Sequence, residues 1–373
     1  MKRTLVALSA LALCIGSVSL RAESLRDIYE LALENDAQLK AEEAQYLANI
    51  EREKLGRSAL LPQVNANYNY TDTDQDTDGL SRDFTAPDLP VIDTSTNIDT
   101  DTDGWRFSLN QALFDLPAWF SFQSGKEFSK QAEATFAGNQ QNLIVRVVEA
   151  YLLVLRAQDN LEASKAQERA FERQLEQTQQ RFEVGLIAIT DVYEAQAAYD
   201  LSQVNRIVDE NNVDVALERL SVLTGQYHSN LHILREDFDP SLPEPNDRAA
   251  WVEFALENNF SLKAAKYAEE AARQNAKSNL ARHTPRLSGS YLYSDTSTVG
   301  DLDRNPATGL ETPPNSDVDL NQWQINLDLP LYSGGAISAD RRRTAQEFNA
   351  AREQRINLTR NTVTNTRSLH MTV

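Results

Sequence analysis

The sequence contains one pattern of residues twice, and this internal repeat restricts the possible folds more than any other feature. The tetrapeptide Ala32–Asn35 recurs as Ala255–Asn258, at an offset of 223 residues. Each copy predicts the same order of elements: helix, strand, acidic loop, strand and long helix. The fold must therefore contain two equivalent units. The same offset relates Leu39–Ala41 to Leu262–Ala264, Pro62 to Pro285, Tyr68 to Tyr291, and Tyr70 to Tyr293.

The repeat predicts four segments along the chain. We expect a signal peptide over 1–22, a first structural repeat over 23–223, an inter-repeat equatorial belt over 224–246, and a second structural repeat over 247–373. The belt contains several prolines, which interrupt helices. The final helical pattern ends close to the point equivalent to Leu155 of the first copy. This indicates that the second repeat is truncated before its helical tip.

The first residues have the pattern of an export signal. Lys2 and Arg3 precede an apolar run, and Ala22 offers a small residue for cleavage. The run is too short for a good membrane span. Cys14 is the only cysteine, and it follows Leu13 rather than a small residue, which argues against a lipid anchor. The mature chain is therefore expected to have no disulfide and no thiol chemistry.

The first helix of each copy begins with capping residues and ends before a proline. Ser24 and Asp27 have the spacing of a capping box, and the helix is predicted to run from Leu25 to about Leu60, before Pro62. The equivalent helix is predicted over about 248–281. Because proline biases the preceding residue toward extended backbone, a strand is expected to follow each helix.

After each proline, the hydrophobic period changes from about 3.6 to 2, which indicates β-strands. Apolar residues alternate with polar ones in 64–71 and 105–109, and again in 287–294 and 323–329. A strand of about 9–11 residues crosses a bilayer, and these stretches have about that length. The aromatic residues on the apolar faces are expected to face the membrane: Tyr68, Tyr70, Trp105, Phe107, Tyr291, Tyr293 and Trp323.

This alternation also suits half of a soluble β-sandwich, which stays open as an alternative at this point. In a membrane, however, two hairpins cannot close a barrel, and an open sheet edge cannot face lipid. The membrane interpretation therefore predicts an oligomer in which each chain contributes four strands to one barrel.

The segments between the strands, Asp72–Asp103 and Asp295–Asp319, are polar and acidic and are predicted to be solvated surface loops. Asp74 with Asp76, Asp78 and Gly79 resembles the start of an EF-hand calcium loop, and the pattern recurs from Asp99. The twelfth positions are Thr85 and Asn110 instead of glutamate. No metal site is predicted here.

Two very long helices are predicted to meet at a tight tip. From about Gly125 to Glu183, apolar and small residues recur at spacings of three and four, as in a coiled coil. Gly185 is predicted to end this helix in a left-handed cap. Thr190 or Asp191 is predicted to start the return helix, because each can cap its first turn. Such a tip is either a solvated hairpin end or a docking point.

Charge and motifs argue against several functional classes. The net charge of -19 disfavours nucleic acid as a partner. We find no glycine-rich phosphate loop and no nucleophile elbow in the sequence. His228 and His232 have the spacing of zinc ligands on a helix but lack a nearby third ligand. The sequence therefore predicts a protein that is not an enzyme, with no cofactor and no metal.

The tandem repeat, the two prolines Pro62 and Pro285, the segment 181–196 and the segment 329–335 together resemble the TolC family of outer-membrane efflux proteins. The resemblance covers residues 23–373 and is most specific in 181–196. It implies an α+β membrane protein: a trimeric 12-stranded outer-membrane β-barrel, with four strands per chain, continued by a long α-helical coiled-coil tunnel in the periplasm.

The family resemblance also implies partners. The expected assembly is a homotrimer in outer-membrane lipid, docked to a periplasmic adaptor (membrane fusion protein) and an inner-membrane transporter. The chain would then be a passive exit duct for drugs or proteins, in a tripartite efflux or type I secretion system. Five residues are implied to lie in the adaptor-facing tip: Arg181, Gly185, Leu186, Thr190 and Asp191.

Two other classes of protein fit this sequence less well. A periplasmic coiled-coil adaptor also uses a long helical hairpin, but it needs one hairpin between soluble β-domains and not two copies with amphipathic strand pairs. An acidic secreted hydrolase needs catalytic residues that converge, and the sequence indicates none.

Overall fold

A computed structural model describes residues 22–234, 244–305 and 312–372. All of the expected signal peptide except Ala22 therefore lies outside the described residues, as does the part of the belt over 235–243. Within the described residues, no helix is both long and apolar enough to cross a membrane.

The same sequence of elements occurs in both halves of the chain. In the described part of the chain, two helices, two strands and a long helix occur in this order in each half, and a return helix follows the long helix of the first half. The elements are α1 Leu25–Asn35, α2 Ala37–Ser58, β1 Gln63–Arg82, β2 Val91–Phe114, α3 Leu116–Glu183, α4 Ile189–Thr224, α5 Arg248–Asn258, α6 Phe260–Leu280, a 3-10 turn Ala281–His283, β3 Arg286–Asn305, β4 Ser316–Asp328 and α7 Ala336–Thr372.

The first helix of each half is divided in two, so the prediction of one continuous helix is wrong. Asp36 separates α1 from α2, and its carboxylate accepts hydrogen bonds from the amides of Gln38 at 2.7 Å and Leu39 at 3.1 Å. Asn259 has the same position before α6, where its side chain accepts from the amide of Leu262 at 2.9 Å. In both places a short polar side chain caps a new helix and ends the previous one.

The cap at the start of α1 is confirmed. The hydroxyl of Ser24 accepts a hydrogen bond from the amide of Asp27 at 3.2 Å, and the amide of Ser24 donates to the Asp27 carboxylate at 2.9 Å. These two bonds form the predicted capping box.

The helix α3 begins earlier than the sequence pattern predicts, at Leu116 and not near Gly125. Asp115 precedes it, and its carboxylate accepts from the amide of Ala118 at 2.8 Å. Pro117 is tolerated in the first turn because its missing N–H would have no partner there. The helix has 68 residues, so it is about 100 Å long at 1.5 Å per residue.

The four strands form one antiparallel sheet in the order β1-β2-β3-β4. The strands have 20, 24, 20 and 13 residues, so most of the two predicted acidic loops is strand. The prediction of loops over Asp72–Asp103 and Asp295–Asp319 is therefore wrong for 72–82, 91–103, 295–305 and 316–319, while 306–311 lie outside the described residues. Aspartate is disfavoured in strands, but here it alternates with threonine and other strand-compatible residues, and period 2 is maintained.

The turn between β1 and β2 is short. The amide and hydroxyl of Thr85 both donate to Asp83, at 2.8 and 2.5 Å. These hydrogen bonds, the hydroxyl bond first, hold the pKa of Asp83 below its usual range. The Asp83 amide in turn donates to the carbonyl of Pro90 at 2.9 Å, which closes the turn.

Contacts between Cα atoms divide the chain into two compact units. Among the described residues, one unit comprises 22–46, 135–234, 244–247 and 372, and the other comprises 47–134, 248–305 and 312–371. The first unit has an apolar core from α1, α3 and α4. Its most buried side chains include Ile28, Leu143, Val147, Val154 and Leu220.

The second unit contains the sheet and helices that approach each other closely through small residues. A Cβ on Gly125 of α3 would lie 2.7 Å from the backbone oxygen of Arg52 in α2. On α2, a Cβ on Gly56 would lie 3.0 Å from the Cα of Phe122. Glycine is needed at these positions because any side chain would push the two helices apart.

Candidate functional site

The connection between α3 and α4, here called the tip (residues 181–193), is built by a left-handed glycine. Gly185 has φ +76°, and its amide donates to the carbonyl of Phe182 at 2.8 Å. The amide of Leu186 donates to the backbone carbonyl of Arg181 at 2.9 Å. These two bonds form a Schellman motif, which satisfies carbonyls at the end of α3. The predicted role of Gly185 as the cap of the first long helix is confirmed.

The return helix begins at Ile189, so the prediction that Thr190 or Asp191 starts it is wrong. Ala188 has extended backbone (φ -83°, ψ 156°) and caps the helix without a side-chain hydrogen bond. The chain has therefore already turned before the first side chain that could cap it. Asp191 lies in the first turn instead, where its negative charge is favoured by the helix dipole.

The tip presents apolar side chains to solvent. Val184, Leu186 and Tyr193 are 70%, 74% and 67% exposed. The guanidinium of Arg181 is also exposed and forms no ion pair within the described part of the chain. Neighbouring exposed apolar and charged groups of this kind are typical of protein-binding surfaces.

All seven aromatic residues identified in the sequence lie on one face of the sheet, here called the aromatic face. Cross-strand pairing places Tyr68 beside Trp105 and Tyr291 beside Trp323. Trp323 is 79% exposed, although burial is the usual state of tryptophan. Aromatic rings are in contact along this face. Their centroids are separated by 5.2 Å in Tyr68–Trp105, 5.9 Å in Trp105–Phe107, 6.2 Å in Phe107–Tyr293 and 4.5 Å in Tyr291–Trp323.

The opposite face of the sheet, here called the polar face, is rich in neutral polar side chains. In β1 it consists of asparagine, glutamine, threonine and serine, with Gly79. Thr102 and Thr298 face each other across β2 and β3, with their hydroxyls 3.1 Å apart. Alternation of an aromatic face with a polar face is the pattern of transmembrane barrel strands.

The aspartates of the strands lie almost entirely on the aromatic face, beyond the aromatic rows. The hydroxyl of Tyr70 donates to Asp101 at 2.5 Å, and that of Tyr68 donates to Asp103 at 3.2 Å. Asp74 is paired with Asp99, so the two EF-hand-like segments are extended strands opposite each other and not calcium loops. Within the described residues, no group of three or more His, Cys, Asp or Glu is placed to hold a metal ion.

One buried polar cluster was not predicted from the sequence. The imidazole of His228 is fully buried, with Nδ1 2.5 Å from a Glu23 carboxylate oxygen and Nε2 2.6 Å from the Thr224 hydroxyl. The Tyr151 hydroxyl donates to the carbonyls of His232 at 2.6 Å and Glu23 at 3.2 Å, and burial raises the pKa of Tyr151. The cluster joins residues 205 positions apart, so no local signal could identify it.

The family model described as "Outer membrane efflux protein" matches residues 28–226 and 251–373. These two ranges include the tip, all four strands and most of the helices.

Similar proteins are known by sequence and by structure. The outer membrane protein TolC of Vibrio cholerae is 38% identical over 341 residues, which is 90% of this chain and 71% of that protein. The alkaline protease secretion protein AprF of Pseudomonas aeruginosa is 32% identical, with 87% of this chain and 64% of that protein covered. The solved structure of the outer membrane protein VceC from Vibrio cholerae has a TM-score of 0.67 at 15% identity, covering 90% of this chain and 75% of that chain.

Proposed function

Because this chain belongs to the outer membrane efflux protein family, we propose that three copies of it close one barrel and dock onto inner-envelope partners. The protein is an outer membrane channel for efflux or type I secretion, and it extends into the periplasm. In this proposal the sheet forms the barrel in the membrane, and the tip binds the partner in the periplasm.

The observation that carries the proposal is the sheet of four strands with one aromatic face and two unpaired edges. Among the described residues, β1 and β4 each pair with a strand on one side only. An open edge cannot remain in lipid, because its free N–H and C=O groups would have no partner there. Joining β4 of one copy to β1 of the next satisfies both edges. Three copies give twelve strands, with four contributed by each chain.

The two faces of the sheet assign the sides of this barrel. The aromatic face, with Trp105 and Trp323, contacts outer-membrane lipid, where amphipathic rings are favoured at the interface. The polar face lines the lumen, since asparagine, serine and threonine side chains lose their hydrogen bonds in hydrocarbon. The acidic rows beyond the aromatic rings then lie outside the apolar band, where their charges remain hydrated.

The tip is the surface we assign to the periplasmic adaptor. Leu186 supplies exposed apolar area, Arg181 supplies a free guanidinium, and Asp191 supplies an exposed carboxylate at a helix start. Gly185 and Thr190 complete the set: the first fixes the direction of the turn, and the second lies in the first turn of α4. The adaptor connects the channel to an inner-membrane transporter that supplies the energy.

The channel itself performs no chemistry in this proposal and holds no cofactor. The repeat-based segments 23–223, 224–246 and 247–373 are its structural divisions: one repeat, an equatorial belt and a second repeat. The element order supports this division, because helices, a hairpin and a long helix occur in the same succession twice.

The test is complementation in a Gram-negative strain that lacks its own outer-membrane exit duct. The complete gene product should restore growth in the presence of exported toxic compounds, or should restore secretion of a type I substrate. Its band on gels should shift on heating, as expected for a stable trimer. Correct insertion in the outer membrane without restored export would refute the proposed docking, and a heat-insensitive monomer in that membrane would refute the shared barrel.

A further inference from the structure

The two faces of the sheet differ in charge as well as in hydrophobicity. Among the described strand residues, every aspartate except Asp328 lies on the aromatic face. On the polar face, Asp328 pairs with Arg286 at 3.0 Å. The remaining charges there are Arg106 and Arg304, both positive. The polar face of this strongly acidic chain therefore has an excess of positive charge.

Arg106 occupies the position on this face where a charge has most effect. Its strand neighbours Trp105 and Phe107 point to the aromatic face, so Arg106 lies level with the membrane-facing rings. Its cross-strand partners, Asn67 and Ser294, are neutral. Its side chain is exposed, and no ion pair neutralises it within the described residues. An ionisable residue at membrane depth is expensive unless it faces water, and it usually has a function.

We propose that Arg106 is a selectivity residue of the barrel lumen, which attracts exported solutes that carry carboxylate or phosphate groups. This inference rests on the proposed function, since the three guanidiniums form a ring only when three copies share one barrel. Rings of arginine favour anions in pores. The planar guanidinium also matches carboxylate and phosphate oxygens with two parallel N–H donors. Solutes of this class are concentrated at this level relative to cations of similar size.

The local potential can be measured with a cysteine beside Arg106. Asn67 is exposed and is the direct β1 partner of Arg106, so its side chain lies roughly 5 Å away. Cys14, the only cysteine of the sequence, lies in the expected signal peptide, so Asn67→Cys is introduced without a second change and the protein is inserted in outer-membrane vesicles. Reaction rates are then compared for an anionic and a cationic methanethiosulfonate reagent of similar size.

We expect the ratio of anionic to cationic reaction rates to fall about tenfold when Arg106→Gln is added. This figure follows from the Coulomb interaction in water between the Arg106 charge and the unit charge of each reagent, which attracts the anion and repels the cation. Arg106→Lys keeps the charge and should keep the ratio, which controls for altered folding. Asp295→Asn changes a charge next to Trp105 on the aromatic face and should change the ratio less than about twofold. Thr73→Cys, about 20 Å along β1, should not respond to Arg106→Gln.

The outcomes separate this inference from the proposed function. In a chain whose cysteine at position 67 reacts with both reagents, two results would overturn the selectivity role: a rate ratio that does not change when Arg106→Gln is added, or a ratio that falls as far with Arg106→Lys as with Arg106→Gln. The channel itself would remain intact in either case. A probe that reacts with neither reagent in correctly inserted protein would show that the polar face is not the lumen, and both proposals would fall.

Discussion

Replacement of Gly185 tests the tip most sharply, because its contribution is conformational and not steric. Its backbone has φ +76°, and a Cβ placed there would meet nothing within 4 Å. An L-residue in this conformation costs about 1–2 kcal/mol, and a β-branched residue costs more. Gly185→Val should therefore destabilise the native tip by about 2–3 kcal/mol, which lowers its population relative to other turns by roughly 30–150-fold.

Gly185→Asn is the matched control, because asparagine adopts left-handed backbone much more readily. We expect Gly185→Val to lose most export activity and cross-linking to the adaptor, and Gly185→Asn to retain most of both. The assay is growth in the presence of exported compounds, with the amount of trimer in the outer membrane measured in parallel. Since the tip lies far along α3 from the strands in sequence, both variants should insert normally. Wild-type export by Gly185→Val at equal abundance would refute the assignment of the tip.

Three further predictions concern packing and the two faces of the sheet. Gly125→Val should destabilise the protein by about 1–3 kcal/mol, because its Cβ would lie 2.7 Å from the backbone oxygen of Arg52. Gly79→Val is the control, because a Cβ on Gly79 meets no atom within 4 Å. Equal melting temperatures of the two variants would contradict close helix packing at Gly125. Ile325→Lys on the aromatic face should reduce membrane insertion through a penalty of about 2–4 kcal/mol near the bilayer centre. Asn326→Lys, one residue later on the polar face, should not reduce membrane insertion. Equal insertion of the two variants would contradict the assignment of the two faces. His228→Leu should lower stability by about 1–3 kcal/mol because Glu23 and Thr224 lose their buried partner, and thermal denaturation should show no such loss for exposed His232→Leu.

The sequence was sufficient for features that depend on local chemistry. The capping box at Ser24 and the left-handed cap at Gly185 follow from the residues themselves, and both occur in the structure. The aromatic face was also predictable, because side chains alternate with period 2 in any strand. The overall fold class is confirmed: long helices occur together with four strands among the described residues, and a similar fold occurs in the solved outer-membrane channel OprN.

Features that depend on pairing were predicted less well. The acidic stretches were interpreted as loops because aspartate is disfavoured in strands, but the ladder continues from Gln63 opposite Asn110 to Arg82 opposite Val91. Cross-strand hydrogen bonds outweigh the local preference of Asp74 or Asp99 along this ladder. Such pairing is set by the whole register and cannot be read from one segment.

The helix breaks and the buried cluster have different causes. Asp36 gives a local signal for a helix break, since its side chain can cap a new helix. The residues on both sides of it have a helical pattern, so the sequence was interpreted as one continuous helix. The 2.8 Å ion pair between Asp36 and Arg146 of α3 also favours the break and is non-local. The contact of Glu23 with His228 depends entirely on the folded unit.

The shared barrel is tested most directly by counting the chains in the channel extracted from the outer membrane. Native mass spectrometry of the detergent-solubilised wild-type protein should show three chains per particle, because each chain supplies four strands and leaves two edges to be paired. A stable, conducting particle with one chain, or with any number other than three, would contradict the closure of one twelve-stranded barrel by three copies.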